Sequence, residues 1–457
     1  MKKLVALLLC LMMVVPATLA SAETAEGKVL NIWCWNDEFQ SRFNAYYPEV
    51  KEIAEDKSTT TLNDGTIVKW TINPNEGNNY QNKLDEALRA QESAAADDKI
   101  DIFLIEADYA LKYVDSPYTL DVKADIGLTD EDLGGQYKYT QEIATSADGK
   151  LKAVTWQATP GLFAYRRSIA KDVLGTDDPD AVQEALADWD KFNAVAEQAA
   201  AKGYYMLSGY DDAYRTFSNN VSAPWVADDG ETVVVDANLM KWVDQTKLYT
   251  DKGYNHKSSL WDATWAADQG PTGKVFGFFY STWGINFTLL GNALAVPVTE
   301  GGKEEVGNGI FGDYAVCEGP QSYYWGGSWM CAAAGTDNAE TIKNVMLKLT
   351  CDKEIDKQIT LDTQDYTNNI EAMNEIAGSD YQSAFLGGQN HIALFAKSAE
   401  KIDMSNAGPY DQGLNENMQT FFHDYFNGAV DLETAKANFE AKIKVLYPEL
   451  TEVVWPE

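Results

Sequence analysis

The feature that most constrains the fold is an alternation of strand-like and helical sequence that begins near residue 28. Apolar strand-like runs span residues 28–35, 66–73 and 101–108, and helical sequence follows the first two. Parallel strands need long connections, and helices usually supply them. The alternation therefore predicts an α/β fold built mostly on parallel sheets.

Polar residues stand where the predicted strands end. Asn36 and Asp37 follow the first strand, and Glu106 and Asp108 close the third. Open α/β sheets bind their ligands at the carboxyl ends of the strands. We therefore expect a binding site at this edge of the sheet.

Breaks later in the chain predict crossovers between two lobes. Pro160-Gly161 interrupts strand-like sequence at 149–167, Gly319-Pro320 forms a second break, and the polar stretch 363–369 forms a third. Pro and Gly weaken or end strands. Three crossovers make both lobes discontinuous in sequence and favour hinge motion between them.

Further elements follow from apolar spacing. Aromatic, Gly-rich strands are predicted at 275–287 and 323–335, and helices at 188–201, 339–350 and 432–446, with Asp431 as an N-cap.

The first residues predict export. Lys2-Lys3 precede an apolar run from Leu4 to Val15, and Ala20-Ser21-Ala22 supplies small residues for cleavage after Ala22. This pattern is typical of a secretory signal peptide. We expect a periplasmic or extracellular, cell-surface protein. Lipidation at Cys10 is disfavoured because bulky Leu9 precedes it.

Composition narrows the class of ligand. A formal net charge of −34 argues against nucleic acid and anionic membrane surfaces as partners. The chain has 13 Trp, 24 Tyr and 17 Phe, many beside Asn, Asp, Gln or Gly. Flat rings beside amides and carboxylates suit a neutral carbohydrate, whose sugar rings have apolar faces and polar rims.

Cysteine and histidine usage indicates no metal site or cofactor. Cys34, Cys317, Cys331 and Cys351 follow no zinc-site spacing, and we favour buried free thiols over a disulfide. None of His256, His391 and His423 has a partner at metal-ligand spacing.

An ordered set of segments carries a family resemblance over nearly all of the mature chain. These are IWCWNDEF, DIFLIEADY, GKLKAVTWQATPGLFAYRR, VFGFFYSTWGINF, YYWGGSWMCAAAGTDN and PYDQGLNENMQTFFHDYFNG. Together they resemble the extracellular solute-binding proteins of carbohydrate ABC importers, family 1, which includes maltose-binding protein.

The resemblance implies a class II, two-lobed periplasmic-binding-protein fold with the ligand in the cleft. It implies a monomer without cofactor or catalytic activity, which delivers sugar to ABC permease subunits served by a cytoplasmic ATPase. The predicted boundaries are 23–157 with 323–363 for lobe 1, and 158–322 with 364–457 for lobe 2.

The resemblance also implies ligand contacts after the first and third strands, at the crossovers and on aromatics of lobe 2. These positions are Trp35, Asn36, Asp37, Glu38, Glu106, Asp108, Trp156, Gln157, Thr159, Tyr210, Asp211, Asp212, Arg215, Trp261, Tyr280, Trp283, Tyr324, Trp325, Trp329, Tyr366 and Asn368.

Each of these residues also has a structural alternative, since aromatics can pack in the core and Asp211-Asp212 can cap a helix. Two other classes of protein stay open. A secreted glycoside hydrolase would also combine aromatics with paired carboxylates, and a surface adhesin would bind carbohydrate without transport. The sequence lacks the GxSxG and HExxH motifs of common hydrolases.

Overall fold

The computed structural model describes residues 27–456, so the predicted signal peptide and its cleavage site lie outside the described residues. The strands are β1 Val29–Cys34, β2 Val50–Ile53, β3 Thr59–Leu62, β4 Ile67–Ile72, β5 Ile102–Glu106, β6 Ala153–Thr155, β7 Gly161–Arg166, β8 Leu207–Gly209, β9 Thr232–Val234, β10 Asn255–Ser258, β11 Gly277–Ser281, β12 Tyr314–Cys317, β13 Ser328–Ala332 and β14 Glu452–Val454.

The helices surround these strands. They are α1 Glu38–Tyr46, α2 Asn79–Ala90, α3 Ala110–Val114, α4 Asp130–Leu133, α5 Lys138–Ile143, α6 Arg167–Leu174, α7 Pro179–Ala185, α8 Trp189–Ala201, α9 Tyr214–Ser218, α10 Ala237–Lys252, α11 Ala263–Asp268, α12 Thr282–Gly284, α13 Leu290–Ala293, α14 Ala339–Thr350, α15 Lys353–Thr363, α16 Ile370–Ala377, α17 His391–Ala399, α18 Asp411–Phe426 and α19 Leu432–Leu446. None of the helices within 27–456 is long and apolar enough to cross a bilayer.

Lobe 1 is organised on a sheet that has seven strands within the described residues, in the order β2-β3-β4-β1-β5-β13-β6. β1 pairs in parallel with β4 and β5, and β13 pairs antiparallel with β5 and β6. Ile102 to Ile105 of β5 are all buried, because helices or loops cover both faces at the centre of the sheet. The carboxyl ends of β1 and β5 therefore share one edge.

Lobe 2 is organised on the antiparallel sheet β11-β7-β12 and the parallel pair β10-β8. A bridge from Tyr205 to Val275 joins the start of β8 to that of β11. Every residue of β7 is buried, so this strand forms the centre of the second core.

The chain passes between the two sheets where the sequence predicts crossovers. β6 of lobe 1 leads to β7 of lobe 2, and β12 of lobe 2 leads back to β13 of lobe 1. Isolated bridges join Gln157 to Thr367 and Pro160 to Tyr324, so the three connecting segments lie side by side. The two-lobed α/β fold is confirmed, whereas the residue at which each lobe begins stays a prediction.

Several predicted helices are confirmed closely. α8, α14 and α19 begin and end within a residue of their predicted bounds. Asp188 and Asp431 cap α8 and α19 by accepting hydrogen bonds from backbone N–H groups. These segments combine a clear apolar spacing with a capping side chain.

The predicted strand at 275–287 is wrong beyond Ser281. The chain turns helical at Thr282 and continues through a π-helical turn, Ile285–Leu289, into α13. Ile285, Leu289 and Ala293 are all buried, at the four-residue spacing of a helix. The many aromatics at 276–287 hide that spacing.

The predicted strand at 323–335 is shorter than expected and comprises only β13. Gly326 and Gly327 precede it with φ values of +77° and +104°, a conformation that favours glycine and ends strand pairing. The four cysteines within the described residues are free, as the sequence favoured.

Candidate functional site

An ion pair bridges the two lobes across the cleft between them. Asp108 follows β5 in a 3-10 turn, and Arg215 lies on α9. The guanidinium donates two hydrogen bonds, Nη1 to Oδ1 at 2.7 Å and Nη2 to Oδ2 at 2.6 Å. Such a bidentate pair fixes orientation as well as distance. The lobes are therefore held together at the centre of the cleft.

A cluster of aromatic rings from lobe 2 and the second crossover lies beside this pair. We call it the tryptophan cluster; its members are Trp261, Trp265, Tyr280, Trp283 and Trp325. Ring centroids of Trp283 and Trp325 are 5.3 Å apart, and Tyr280 stacks on Trp325 at 5.8 Å. Trp261 stacks on Trp283 at 6.2 Å. Trp261 is the most exposed member, Trp283 is half-buried, and Trp265, Tyr280 and Trp325 are buried behind them.

Two features connect the cluster to the ion pair. The Arg215 guanidinium lies 5.3 Å from the centroid of the Trp325 ring, in a cation–π arrangement. Trp283 Nε1 donates a 2.8 Å hydrogen bond to the Trp325 carbonyl. Apolar faces and charged hydrogen-bonding groups are thus adjacent.

Trp261 is unusual in both exposure and backbone. Its side chain is 56% exposed, although tryptophan is usually well buried. Its φ of +71° lies in the left-handed region, which bulky residues seldom adopt. Strained residues of this kind concentrate at binding sites, where the surrounding structure holds them in place.

Lobe 1 contributes Trp35 and Glu38 from the end of β1. Half-buried Trp35 packs edge-on against Tyr80 and Tyr109. Glu38 accepts a 3.0 Å hydrogen bond from Gln157 Nε2. Burial, reinforced by the negative charge of Asp365, raises the pKa of Glu38 to about 7.

The same amide ties Glu38 to the third crossover. Gln157 Nε2 also donates to Asp365 Oδ2 at 2.8 Å, and Asp365 Oδ1 accepts from Thr282 of lobe 2 at 2.7 Å. This chain of hydrogen bonds joins both lobes at the hinge, so Gln157 and Glu38 serve the hinge contact in this structure.

Glu106 ends β5 next to the interlobe ion pair. Its Oε2 accepts a 2.9 Å hydrogen bond from the backbone N–H of Asp108. Burial, together with the charge of Asp108, raises the pKa of Glu106 to about 8. In a large fraction of the molecules the Glu106 carboxyl is therefore protonated near neutral pH.

A cavity of about 70 Å³ opens beside Asp108 and Arg215, which both line it. Asp108 and Tyr109 line it from lobe 1, Tyr324 lines it from the second crossover, and lobe 2 adds Arg215, Asp411 and Glu416. We call it the acidic pocket and define it by these six residues. Because Arg215 lines the cavity and also contacts Trp325, the pocket and the tryptophan cluster form one continuous site.

Four residues of the site, Tyr109, Trp265, Asp411 and Glu416, were not predicted from the sequence. Asp411 and Glu416 lie in the first turns of α18, whose polar residues have the pattern of an ordinary solvated helix face. The available signal for the α18 residues was the polar segment 410–417, which forms part of the family resemblance.

The chain matches a known family over residues 57–384, the bacterial extracellular solute-binding proteins. It belongs to that family. The predicted resemblance is thereby confirmed, and the family consists of binding proteins. No curated protein sequence is significantly similar to this solute-binding protein.

Solved structures share the fold at low sequence identity. An extracellular solute-binding protein of family 1 superposes with a TM-score of 0.71 at 15% identity, covering 92% of this chain and 99% of that one. A β-1,6-galactobiose complex from B. animalis subsp. lactis has a TM-score of 0.65 at 15% identity, with 93% and 100% covered. A lacto-N-biose complex from Bifidobacterium longum has a TM-score of 0.65 at 13% identity, with 94% and 100% covered.

Several predicted site residues of this solute-binding protein are buried, and some of them are hydrogen-bonded to other protein groups. Trp329 Nε1 donates to the Thr140 carbonyl, and Thr159 Oγ1 donates to the Gly326 carbonyl. The remaining members of this group, all less than 2% exposed, are Trp156, Tyr280, Tyr366 and Asn368. In this structure they support the crossovers and the core behind the cleft.

The predicted Tyr210, Asp211 and Asp212 lie in the turn between β8 and α9. Asp212 accepts backbone hydrogen bonds from Ser208 and Gly209, and Asp211 pairs with His423 at 2.8 Å. Tyr210 packs its ring against His423. These three side chains are engaged by other protein groups, and they stabilise the turn that leads into α9 and Arg215.

Asn36 and Asp37 are exposed in the turn before α1. Their side chains, with Trp35, border lobe 1 at the cleft. The predicted residues that the structure brings together beside the interlobe ion pair are Asp108, Arg215, Trp261, Trp283, Tyr324 and Trp325, of which Tyr324 and Trp325 are buried.

Proposed function

We propose that this solute-binding protein captures a carbohydrate in the interlobe cleft and delivers it to the permease of an ABC importer. The observation that carries the proposal is the exposed ring of Trp261, which lies beside Trp283 and is linked to the Arg215–Asp108 pair through Trp325. A sugar ring has a C–H face that packs on an indole and hydroxyls that bond to charged groups.

The ligands of structural relatives support the choice of carbohydrate. Two proteins of the same fold are described in complex with β-1,6-galactobiose and with lacto-N-biose. At 13–15% identity this likeness concerns the fold. The sugar assignment for this chain therefore depends on its own aromatic and charged groups.

Capture proceeds by closure of the lobes about the three crossovers. A ligand shifts the lobes toward the closed state only by as much as it binds that state more tightly. Sugar bound between Trp261 of lobe 2 and Asp108 of lobe 1 contacts both sides of the cleft. The closed, loaded form is the one presented to the permease and its cytoplasmic ATPase.

We propose further that the protein is exported, processed after Ala22 and free of catalytic activity. Cleavage after Ala22 predicts Glu23 as the first residue of the secreted protein, and N-terminal sequencing tests this. A start at any other position would contradict the assignment.

Calorimetry with a panel of oligosaccharides, followed by chromatography of the same samples, separates the classes of function. We expect reversible one-to-one binding, with a dissociation constant on the order of 1 μM, about −8 kcal/mol, and intact sugar afterwards. Shortened sugar would identify a glycoside hydrolase. No binding across the panel would contradict the proposal.

A further inference from the structure

The cations that line the acidic pocket are already paired with protein carboxylates. Arg215 is held by Asp108, and Lys112 Nζ contacts Asp85 Oδ2 at 2.9 Å. Within residues 27–456, Asp108 is the one carboxyl lining the pocket that forms an ion pair. The charge of Arg215 offsets only part of the effect of burial on Glu106 and Glu416, whose pKa values stay raised.

Three other carboxyls lie at the pocket. Glu106 adjoins the pocket behind Asp108, Asp411 forms part of its wall, and Glu416 stands at its exposed edge. Within residues 27–456 none of the three takes part in an ion pair, and the buried Oδ1 of Asp411 has no hydrogen bond. Glu106 accepts one hydrogen bond from the Asp108 N–H, and the exposed Glu416 accepts one from Gln412. A desolvated carboxylate without a counter-charge is costly, so Asp411 and Glu106 are stabilised by a proton or by a cation.

Their titration agrees with this shortage of positive charge. Burial, with the charge of Asp108 added, raises the pKa of Asp411 to about 7. Burial raises the pKa of Glu416 as well, and that of Glu106 to about 8. These carboxyls therefore hold protons near neutral pH that a bound cation would displace.

An independent observation at the same pocket is the hydroxyl of Tyr109. The residue is only 4% exposed and lines the cavity, yet its hydroxyl has no hydrogen-bond partner. The Glu106 backbone N–H approaches the oxygen, which leaves the hydroxyl hydrogen without an acceptor. Buried polar groups in native proteins are nearly always paired. The missing acceptor indicates a ligand atom at this position.

We propose that the acidic pocket binds a protonated amine, and that the carbohydrate recognised by this protein is an amino sugar with a free amino group. The inference rests on the proposed function and replaces the neutral sugar that the composition suggests. An ammonium group donates three hydrogen bonds, which suits the carboxyls of Asp411, Glu106 and Glu416.

The rest of the sugar fits the surrounding groups. The rings of Tyr214 and Tyr324 line the same cavity and add electron-rich faces for the cation. Tyr109 donates its free hydroxyl hydrogen to a sugar oxygen. Neighbouring sugar units reach the tryptophan cluster past Arg215, which contacts both regions.

The test compares sugars that differ only in the amine. Calorimetry is run with glucosamine, galactosamine and the β-1,4-linked glucosamine disaccharide, each beside its N-acetylated form, with spermidine as a cation that is not a sugar. We expect a free amine to bind about tenfold more tightly or better than its N-acetyl partner. Protons should be released on binding, as measured from the heats in two buffers of different ionisation enthalpy.

Variants test whether the preference for a free amine arises in the acidic pocket. Asp411→Asn and Glu416→Gln keep the side-chain shape and remove the charge, so the preference for the amine over the N-acetyl form should fall toward one. Glu433→Gln, at a carboxyl on α19 that is 82% exposed and does not line the pocket, should leave the preference unchanged. Tyr109→Phe should weaken amine-sugar binding several-fold without lowering the unfolding temperature.

The outcomes separate this inference from the proposed function. Equal or tighter binding of the N-acetylated sugars would overturn the amine pocket and leave carbohydrate capture standing. Spermidine binding without any sugar binding would overturn carbohydrate capture and support the cation site. Failure of every ligand to bind would contradict both.

Discussion

At the scale of single residues, Trp261 is the side chain whose loss should separate binding from folding. Most of its ring is exposed, and its left-handed φ adds strain rather than stability. Trp261→Ala should weaken sugar binding by about 1–3 kcal/mol, the usual effect of losing an aromatic contact. Calorimetry and thermal unfolding of the same preparation check this.

Trp455 provides the matched control. Its ring packs against Phe439 and Phe422, on the part of lobe 2 that carries β14. Trp455→Ala should lower the unfolding temperature and leave sugar affinity as it is. The assignment of Trp261 to the site fails if its replacement leaves affinity unchanged.

Titration of the cleft carboxyls predicts how stability depends on pH. Glu106, Glu38 and Asp411 have folded-state pKa values of about 8, 7 and 7, above those of exposed carboxyls. Between roughly pH 4 and pH 8 the folded state therefore holds more protons than the unfolded state, and stability falls as the pH rises.

Thermal unfolding of the ligand-free protein should accordingly show a melting temperature that decreases from mildly acidic pH toward pH 8. Asp411→Asn should flatten that slope, because asparagine does not titrate. A melting temperature that rises over this range in the wild type would contradict the raised pKa values.

At the scale of elements, the second crossover depends on Gly326 and Gly327. A Cβ added at Gly326 would lie 2.8 Å from Trp283 Nε1, in a backbone conformation that side chains rarely adopt. Gly326→Ala should therefore reduce the free energy of unfolding by at least about 1–2 kcal/mol and disturb the tryptophan cluster.

Gly301 separates backbone strain from the clash. Its φ is +88°, and a Cβ there would meet nothing within 4 Å. Gly301→Ala should reduce the free energy of unfolding only by the backbone strain, and it should leave sugar binding unaltered. Equal effects of the two substitutions on stability and affinity would show that the contact with Trp283 is unimportant.

The elements also show what the sequence predicts well. α14 and α19 follow from apolar spacing, with Asp431 marking the start of α19, because both signals are local. The strand predicted at 275–287 fails beyond Ser281, since a run of aromatics satisfies strand and helix patterns equally. Packing against lobe 2 decides between them, and packing is not visible in a single segment.

At the scale of the whole molecule, the fold explains why half of the residues that define the acidic pocket could not be predicted from the sequence. Asp108 and Asp411 lie about 300 positions apart, and only the fold of both lobes brings them to one cavity. Strand-end residues such as Asp108 are predictable from sheet geometry. Residues of α18 reach the pocket because lobe 2 docks against the turn after β5, which no local pattern encodes.

The Arg215–Asp108 pair predicts a change of shape. Asp108→Asn removes one charge of the bidentate bridge, so the ligand-free lobes should separate more often and the radius of gyration from small-angle scattering should increase. Asp64→Asn removes one partner of an exposed ion pair within lobe 1, so it should leave the radius of gyration unaltered. An unchanged radius in Asp108→Asn would mean that this pair does not hold the lobes together.

The most direct test of the account is a crystal structure of the protein grown with the tightest sugar from the binding panel. We predict a sugar ring against the face of Trp261, hydrogen-bonded to the Arg215–Asp108 pair, with both lobes in contact with the ligand. Sugar bound outside the cleft, or in contact with one lobe alone, would contradict the proposed mechanism of capture.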